Sequence, residues 1–212
     1  PEEVFGEAWT PVVTDGSGRD RAPLRRAVEL LRAAGWERRD GGLFNAAGEQ
    51  LTLEFLYAQP TWERVLQPYA NRLGLLGIPV SLRMVESAQY QSRLNTFDFE
   101  MTTRRYAFAP TPGESIREFW TSQSAAIDGS FNIAGIANPA IDALTETLIN
   151  APSRDEMVVA ARALDRVLRA GHYSVPQWYN KQHNIAYWDR FGIPEMKPKY
   201  FFPVETTWWS KA

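Results

Sequence analysis

The chain has 212 residues, of which 23 are Lys or Arg and 25 are Asp or Glu, so its formal net charge is −2. This balance excludes the broad basic surface that binds nucleic acid by counterion release, and we expect no nucleic-acid partner. Because cysteine is absent, disulfides, zinc–thiolate sites and cysteine nucleophiles are excluded as well.

The hydropathy of the chain and its first residues lead to two expectations, one about membrane insertion and one about processing. No apolar run approaches the roughly 18 residues of a membrane span, so direct insertion into a membrane is not expected. The chain starts at Pro1 without Met or a recognisable signal peptide, and we interpret it as a processed or truncated part of something longer.

The first 35 residues predict an extended segment followed by a helix. Residues 1–19 hold scattered Pro and Gly with no sustained period, which indicates an extended entry segment. Asp20 is a suitable cap for the helix, Pro23 fits its first turn, and Gly35 is a suitable end.

Residues 50–103 alternate between strand and helix patterns. Period-two hydrophobicity at 50–57, 78–85 and 97–103 predicts three strands, and helical spacing at 60–77 and from Ser87 onward predicts two helices between them. Strands separated by single helices usually pair in parallel and bind ligands beyond their carboxyl ends. The loop after residue 103 is therefore expected at a functional edge.

This loop, TTRRYAFAPTPGES at 102–115, concentrates charged and aromatic side chains. Arg104 and Arg105 could bind a carboxylate or phosphate, or pair with surface acids. Tyr106 and Phe108 offer apolar or stacking area. The pattern leaves a catalytic site, a nucleic-acid contact and a ligand cleft open, although the net charge makes nucleic acid the weakest of the three.

Enzymatic chemistry finds little support in the sequence. Asp98 and Glu100 lie two apart on a predicted strand and could share acid and base roles, but a solvated strand face explains them as well, and we favour it. The motifs of nucleotide-binding loops, serine hydrolases and zinc proteases are absent. His172 and His183 lack neighbouring acids for a metal site. We expect no catalytic residue, metal or cofactor.

The second half of the chain predicts two helices and an aromatic tail. Asn138 before Pro139, and Ser153 with Glu156, are suitable helix starts. From residue 172 onward the chain is rich in aromatic residues and has little periodicity, which indicates a segment that packs on something else.

Several stretches resemble a known family. AVELLRAAGW at 27–36, PYANRLGLLGIPVSLRMVESAQYQSRL at 68–94 and FDFEMTT at 97–103 resemble the C-terminal lobe of family 5 extracellular solute-binding proteins, the peptide receptors of ABC transporters. PTPGESIREFWTSQSAAIDGSFNIAGIANPAIDAL at 110–144 is similar to the YejA-like branch of that family, which is associated with oligopeptides and with uptake of microcin C-like peptide–nucleotides.

The resemblance implies an α/β lobe of the type II periplasmic binding fold, with a mainly parallel sheet flanked by helices and an irregular aromatic return segment. It implies a periplasmic receptor without enzymatic activity that binds a peptide or peptide-like solute between two lobes and delivers it to an ABC transporter membrane permease. Residues 1–19 would form the entry segment and 20–187 the second lobe. Residues 188–212 would return to the N-terminal lobe of the same protein.

The resemblance also suggests which residues face the ligand cleft. These are Arg104, Arg105, Tyr106 and Phe108 in the loop, Ser130 and Asn132 in the polar stretch after it, and Trp178 and Tyr179 near the return crossing. Peptide-binding members of the family place an Asp where this loop has Phe108, a departure that puts recognition of a free α-amine in doubt. Two alternatives remain: a hydrolase that uses Asp98 and Glu100, and an interaction module whose aromatic tail docks a partner.

Overall fold

The structure is a computed structural model that describes residues 2–18, 20–106, 108, 111–178, 182, 184–196 and 203–211. Within them the helices are α1 Glu2–Phe5, α2 Ala22–Ala33, α3 Glu63–Leu75, α4 Ser87–Asn95, α5 Arg117–Trp120, α6 Ser122–Ala125, α7 Pro139–Ile149, α8 Arg154–Ala170 and α9 Val204–Thr207. The strands are β1 Glu37–Arg39, β2 Gly42–Phe44, β3 Leu53–Tyr57, β4 Val80–Met84, β5 Met101–Thr102, β6 Phe191–Gly192 and β7 Trp209–Ser210.

A parallel three-stranded sheet forms the centre of the first half. β3 lies between β4 and β5 and pairs in parallel with both. This confirms the predicted order of strands and helices and the parallel pairing. Phe55, Leu56 and Tyr57 are all buried, so the central strand is covered on both faces, as is usual for parallel sheets.

The strand predicted at 97–103 is much shorter than expected, since β5 covers only Met101–Thr102. Phe97 has a φ of 54°, in the left-handed region, which breaks the extended conformation. The Arg93 guanidinium then holds the turn, because its Nε donates to the Asp98 backbone oxygen at 2.8 Å and to Asp98 Oδ2 at 2.9 Å. Phe97 and Phe99 therefore lie in the turn that precedes β5 and not in the strand.

The helix starts confirm two of the predicted caps, Asn138 and Ser153, whereas the cap position of α2 is Arg21 and Asp20 lies one residue before it. The Ala22 backbone N–H donates to Asp20 Oδ1 at 3.0 Å, and the Ala140 N–H donates to Asn138 Oδ1 at 2.9 Å. The Glu156 N–H donates to Ser153 Oγ at 3.2 Å. Each side chain satisfies one N–H that a helix start leaves without a partner.

The apolar core divides into clusters that follow the element order. One cluster joins α2, the β1–β2 hairpin and the end of α3, and a second joins β3 and β4 to the middle of α3. A third cluster is formed mainly by α7 and α8, and its buried residues are Ile136, Ile141, Leu148, Ala160, Leu164 and Val167. The loop at 102–115, called the loop of interest below, runs from the sheet to the third cluster.

The two ends of the chain are less regular. Residues 2–5 form a helical turn on α8, where Arg166 Nη1 donates to the Val4 backbone oxygen at 2.6 Å, so the entry segment is not extended throughout. β6 and β7 form a short antiparallel pair in the return segment. In the part of the chain that the structure describes, we find no helix with the length and apolar character needed to cross a membrane.

Candidate functional site

The loop of interest leaves the sheet at its carboxyl edge. Tyr57 of β3 and Met84 of β4 are paired at this edge. The Tyr90 hydroxyl of α4 lies 2.9 Å from Thr102 Oγ1 and donates to the Thr103 backbone oxygen at 3.1 Å. Thr102 Oγ1 also donates to the Leu56 backbone oxygen at 3.0 Å. The start of the loop is therefore tied to both α4 and the central strand.

Five rings form a continuous group beyond this edge, which we call the aromatic cluster: Tyr106, Phe108, Phe119, Trp120 and Phe131. Tyr106 and Phe108 are stacked with ring centres 5.9 Å apart, and Phe108 meets Phe119 edge-on at 4.9 Å. Trp120 packs against the α7–α8 core. The cluster thus connects the loop to a rigid support.

The aromatic cluster presents apolar area to solvent. Phe108 is 51% exposed and Phe131 is 43% exposed, although each packs on Phe119. Tyr106 is half-buried, and burial raises the pKa of its phenol, an effect that the charge of Arg104 partly opposes. Exposed rings held from behind by other rings are well suited to receive apolar or planar groups of a ligand.

The two arginines of the loop differ in their contacts. The Arg104 guanidinium carbon lies 5.4 Å from the centre of the Phe131 ring, which is a cation–π arrangement. Arg105 is exposed. Among the residues that the structure describes, neither arginine forms a salt bridge with an acidic side chain, so both charges remain available to an anionic partner.

Asn132 does not have the expected position in a cleft. Its side chain is 1% exposed, and Nδ2 donates to the backbone oxygens of Thr121 and Ile136 at 3.1 and 2.9 Å. Oδ1 accepts the Ile136 backbone N–H at 2.9 Å. Asn132 therefore holds the loop from inside. A buried amide that bonds on both sides is a structural group, in contrast to the prediction that it contacts ligand.

Ser130 lies beside a cavity of about 220 Å³ between the second half of α4 and the loop at 129–133. The residues that line it include Gln91, Asn95 and Arg104. The structure thus places Arg104 and Ser130 at the same cavity.

The expected tryptophan near the return crossing lies at another place on the surface. Trp178 is 66% exposed, and its ring centre lies 6.0 Å from that of Trp62, at the start of α3. Within the described part of the chain, no ring contact joins this pair to the aromatic cluster. Tyr179 lies outside the described residues.

The two carboxylates of the hydrolase alternative have structural partners. Asp98 forms a salt bridge of 2.9 Å with Arg93 and its side chain is 68% exposed. Glu100 accepts a hydrogen bond from the backbone N–H of Glu54. A general acid of this kind usually needs a buried carboxyl with a raised pKa, and the exposure of Asp98 does not fit that requirement. Among the described residues no group of His, Asp and Glu is arranged to hold a metal.

Sequence reasoning missed several members of the site. The sequence did not predict that Phe119, Phe131, Gln91 and Asn95 belong to the site. Phe119 and Phe131 stack at 5.1 Å, although Phe119 belongs to α5 and Phe131 follows α6. Only the uncommon density of aromatic residues in this region is a signal that could have suggested a cluster.

Comparison with known protein families shows the family to which the chain belongs. Residues 4–127, more than half of the chain, match bacterial extracellular solute-binding proteins, family 5 Middle. The chain belongs to the family 5 solute-binding proteins. This confirms the resemblance seen in the sequence.

Relatives of this family 5 protein extend the match to the whole chain. The probable peptide-binding protein YejA of Agrobacterium fabrum is 43% identical over 211 residues, which is 99% of this chain and 34% of the relative. The peptidoglycan-binding protein YepA of the same bacterium is 37% identical over 209 residues, again 99% of this chain and 34% of the relative. The chain spans about a third of the length of the curated relatives it matches. Both are named as binding proteins.

Solved structures confirm the fold. The oligopeptide-binding protein AppA of Bacillus subtilis, in complex with a nonapeptide, superposes with a TM-score of 0.63 at 18% identity, over 70% of this chain and 30% of that one. A periplasmic oligopeptide-binding protein of Thermotoga maritima with bound mannohexaose has a TM-score of 0.64 at 18% identity, over 74% of this chain and 30% of that one. The family 5 chain is an α/β unit of the periplasmic binding protein fold.

Proposed function

We propose that the chain is the second lobe of the substrate-binding component of an ABC importer, and that the whole protein binds peptides or peptide-like solutes between two lobes. The observation that carries this is the aromatic cluster at the carboxyl edge of a parallel sheet, in a family 5 chain that is similar to a probable peptide-binding protein. We infer binding without catalysis, a periplasmic location and a membrane permease as partner.

The cluster suits an extended peptide because it offers rings for side chains next to free charges. Phe108 and Tyr106 supply apolar area, and Arg104 supplies hydrogen-bond donors. Closure of a second lobe would remove water from these groups and strengthen each contact. The isolated lobe is therefore expected to bind weakly.

The return segment is proposed to lie against the first lobe. Trp188, Met196 and Trp209 are large apolar residues that are exposed in this chain. Exposed apolar surface of this extent usually marks an interface. Deletion of residues 189–212 separates this proposal from the interaction-module alternative, because a receptor would lose attachment to its first lobe, whereas a module would lose a foreign partner.

We further propose that this protein does not require a free α-amine on its ligand. Phe108 stands where peptide-binding members of the family are expected to place an acid, and an apolar ring gives an ammonium group no negative partner. A blocked peptide or a microcin C-like peptide–nucleotide is compatible with such a loop. The proposed preference concerns the amino end of the ligand only.

Calorimetric titration of the full-length protein with free and N-formylated versions of one peptide tests both proposals. Binding of either form supports a peptide receptor, and similar affinity for both supports tolerance of a blocked terminus. A strong preference for the free amine contradicts the second proposal and leaves the first intact. Failure of a peptide mixture to bind, in a protein that is shown to be folded, contradicts the first.

A further inference from the structure

The cavity between α4 and the loop at 129–133 has an unusual balance of polar groups. Its volume is about 220 Å³, and its lining residues are Gln91, Leu94, Asn95, Arg104, Gly129, Ser130, Phe131 and Ile133. No Asp or Glu is among these residues, whereas one is an arginine. The cavity is therefore electropositive by composition.

The hydrogen bonds within the lining use the oxygens of Asn95 and Ser130 as acceptors, so both side chains can still donate. Gln91 Nε2 donates to Asn95 Oδ1 at 2.7 Å, so the Asn95 amide oxygen is used and its nitrogen remains to donate. Ser130 Oγ accepts the Asn132 backbone N–H at 3.3 Å, so its own proton remains for an acceptor. Together with the guanidinium of Arg104, these groups give the lining several donors for an anionic group.

The apolar residues of the lining support the Arg104 guanidinium and strengthen its interaction with an opposite charge. Leu94 is buried, and Phe131 supports the guanidinium of Arg104 through the 5.4 Å cation–π contact. A charge beside such apolar groups interacts with an opposite charge more strongly than it would in open water.

We propose that this cavity is a subsite for one acidic group, a carboxylate or a phosphate, of the transported solute. Its volume is below the roughly 300–1,000 Å³ of a pocket for a whole ligand, so it suits a single substituent. Phe131 lines the cavity and also stacks on Phe119 of the aromatic cluster, so a solute on the cluster has the cavity next to it. The inference rests on the proposed function, because it assigns a part of the same solute.

Arg104 provides the decisive variant, and Arg105 provides the matched control. Both side chains are exposed and lie next to each other in sequence, but only Arg104 lines the cavity. We expect Arg104→Gln to leave the thermal unfolding of the full-length protein unchanged. The same substitution at Arg105 removes one positive charge from the loop without altering the cavity.

The experiment is calorimetric titration of the full-length protein, in the native form and both variants, with two pairs of short peptides. One pair differs only in Glu against Gln, and the other only in phosphoserine against serine. We expect the native protein to favour the acidic member of at least one pair by about 10-fold or more. Arg104→Gln should abolish that preference, and Arg105→Gln should retain it. The pair that shows the effect identifies the acidic group.

Three results would overturn the inference in distinguishable ways. If acidic and neutral members bind equally well to the native protein, the subsite is refuted while peptide binding stands. If the preference exists but Arg105→Gln abolishes it and Arg104→Gln does not, the acidic group binds elsewhere in the loop and the cavity is excluded. If no peptide binds at all, the proposed function and the inference fail together.

Discussion

The hydroxyl groups of Tyr90 and Thr102 lie 2.9 Å apart and connect α4 to the last residue of β5. The Tyr90 phenol also donates to the Thr103 backbone oxygen at 3.1 Å, so one side chain holds the first residue of the loop as well. Because β5 has only two residues, this contact replaces much of the support that a longer strand would give the loop. The position of the aromatic cluster depends on it.

Removal of this hydroxyl is expected to loosen the loop. Tyr90→Phe should lower the free energy of unfolding by about 0.5–1.5 kcal/mol, which is typical of a lost hydrogen bond, and should weaken peptide binding severalfold. Urea unfolding and calorimetry of the full-length protein measure the two effects. Tyr187→Phe, on an exposed tyrosine just before the return segment, is the control and should change neither. Unchanged binding in Tyr90→Phe would show that the loop is held by other contacts.

Asn132 is expected to contribute to stability and only indirectly to binding. Asn132→Ala removes the amide that bonds to Thr121 and Ile136 and leaves their buried groups without a partner. The free energy of unfolding should fall by about 2–4 kcal/mol, with an unchanged slope against urea concentration. The control is Asn150→Ala, because its exposed amide donates to the Glu146 backbone oxygen and its loss should have little effect. A stable Asn132→Ala protein with impaired binding would restore the role in the ligand cleft.

Phe108 is expected to act in binding and not in folding. Its ring is 51% exposed, so Phe108→Ala should leave the midpoint of urea unfolding nearly unchanged. Loss of the ring from the aromatic cluster should raise the Kd for peptide by about 3- to 10-fold, measured by calorimetry. Phe5→Ala, at another exposed phenylalanine, should have no effect on affinity. Equal affinities in the native and Phe108→Ala proteins would remove Phe108 from the site.

The salt bridge between Arg117 and Glu146 predicts a dependence of stability on pH. Arg117 Nε and Nη2 donate to the Glu146 carboxylate at 2.6 and 2.7 Å, and these bonds lower the pKa of Glu146 from its ordinary value of 4.5. A lowered folded-state pKa stabilises the protein above the unfolded pKa, and that stabilisation is lost as the pH falls through the folded pKa.

The native protein should therefore unfold at a higher temperature than Glu146→Gln at pH 7, and the difference should disappear as the pH falls below the ordinary Glu value of 4.5. Glu118→Gln is the control, since no salt bridge to Glu118 is present among the described residues. Thermal unfolding across this pH range measures the effect. A difference that grows toward low pH would contradict the assigned direction of the pKa change.

Local sequence patterns predicted the parts of the fold that depend on neighbouring residues. The alternation at 53–57 and 80–84 corresponds to β3 and β4, and the caps Asn138 and Ser153 lie where the pattern placed them. The same alternation overextended β5, because nothing in it reveals that Arg93 would draw Asp98 into a turn. Periodicity shows which faces are apolar, but it does not show which side chain will hydrogen-bond a neighbouring turn.

Only those site residues that lie in one loop could be predicted from the sequence. Arg104, Tyr106 and Phe108 share a short segment, so their proximity followed from the sequence, and the structure keeps them together. Their partners Phe119 and Phe131 come from later segments and meet them only after the chain has packed. Asn132 was misplaced because a polar residue in a polar stretch suggests exposure, whereas its amide satisfies buried backbone groups.

Native mass spectrometry of the full-length protein as purified tests the central claim most directly. The account predicts a noncovalent complex whose extra mass fragments as a peptide or peptide conjugate, and whose occupancy falls in Phe108→Ala. A bound oligosaccharide or metal chelate with no peptide would contradict the proposed substrate while leaving the fold in place.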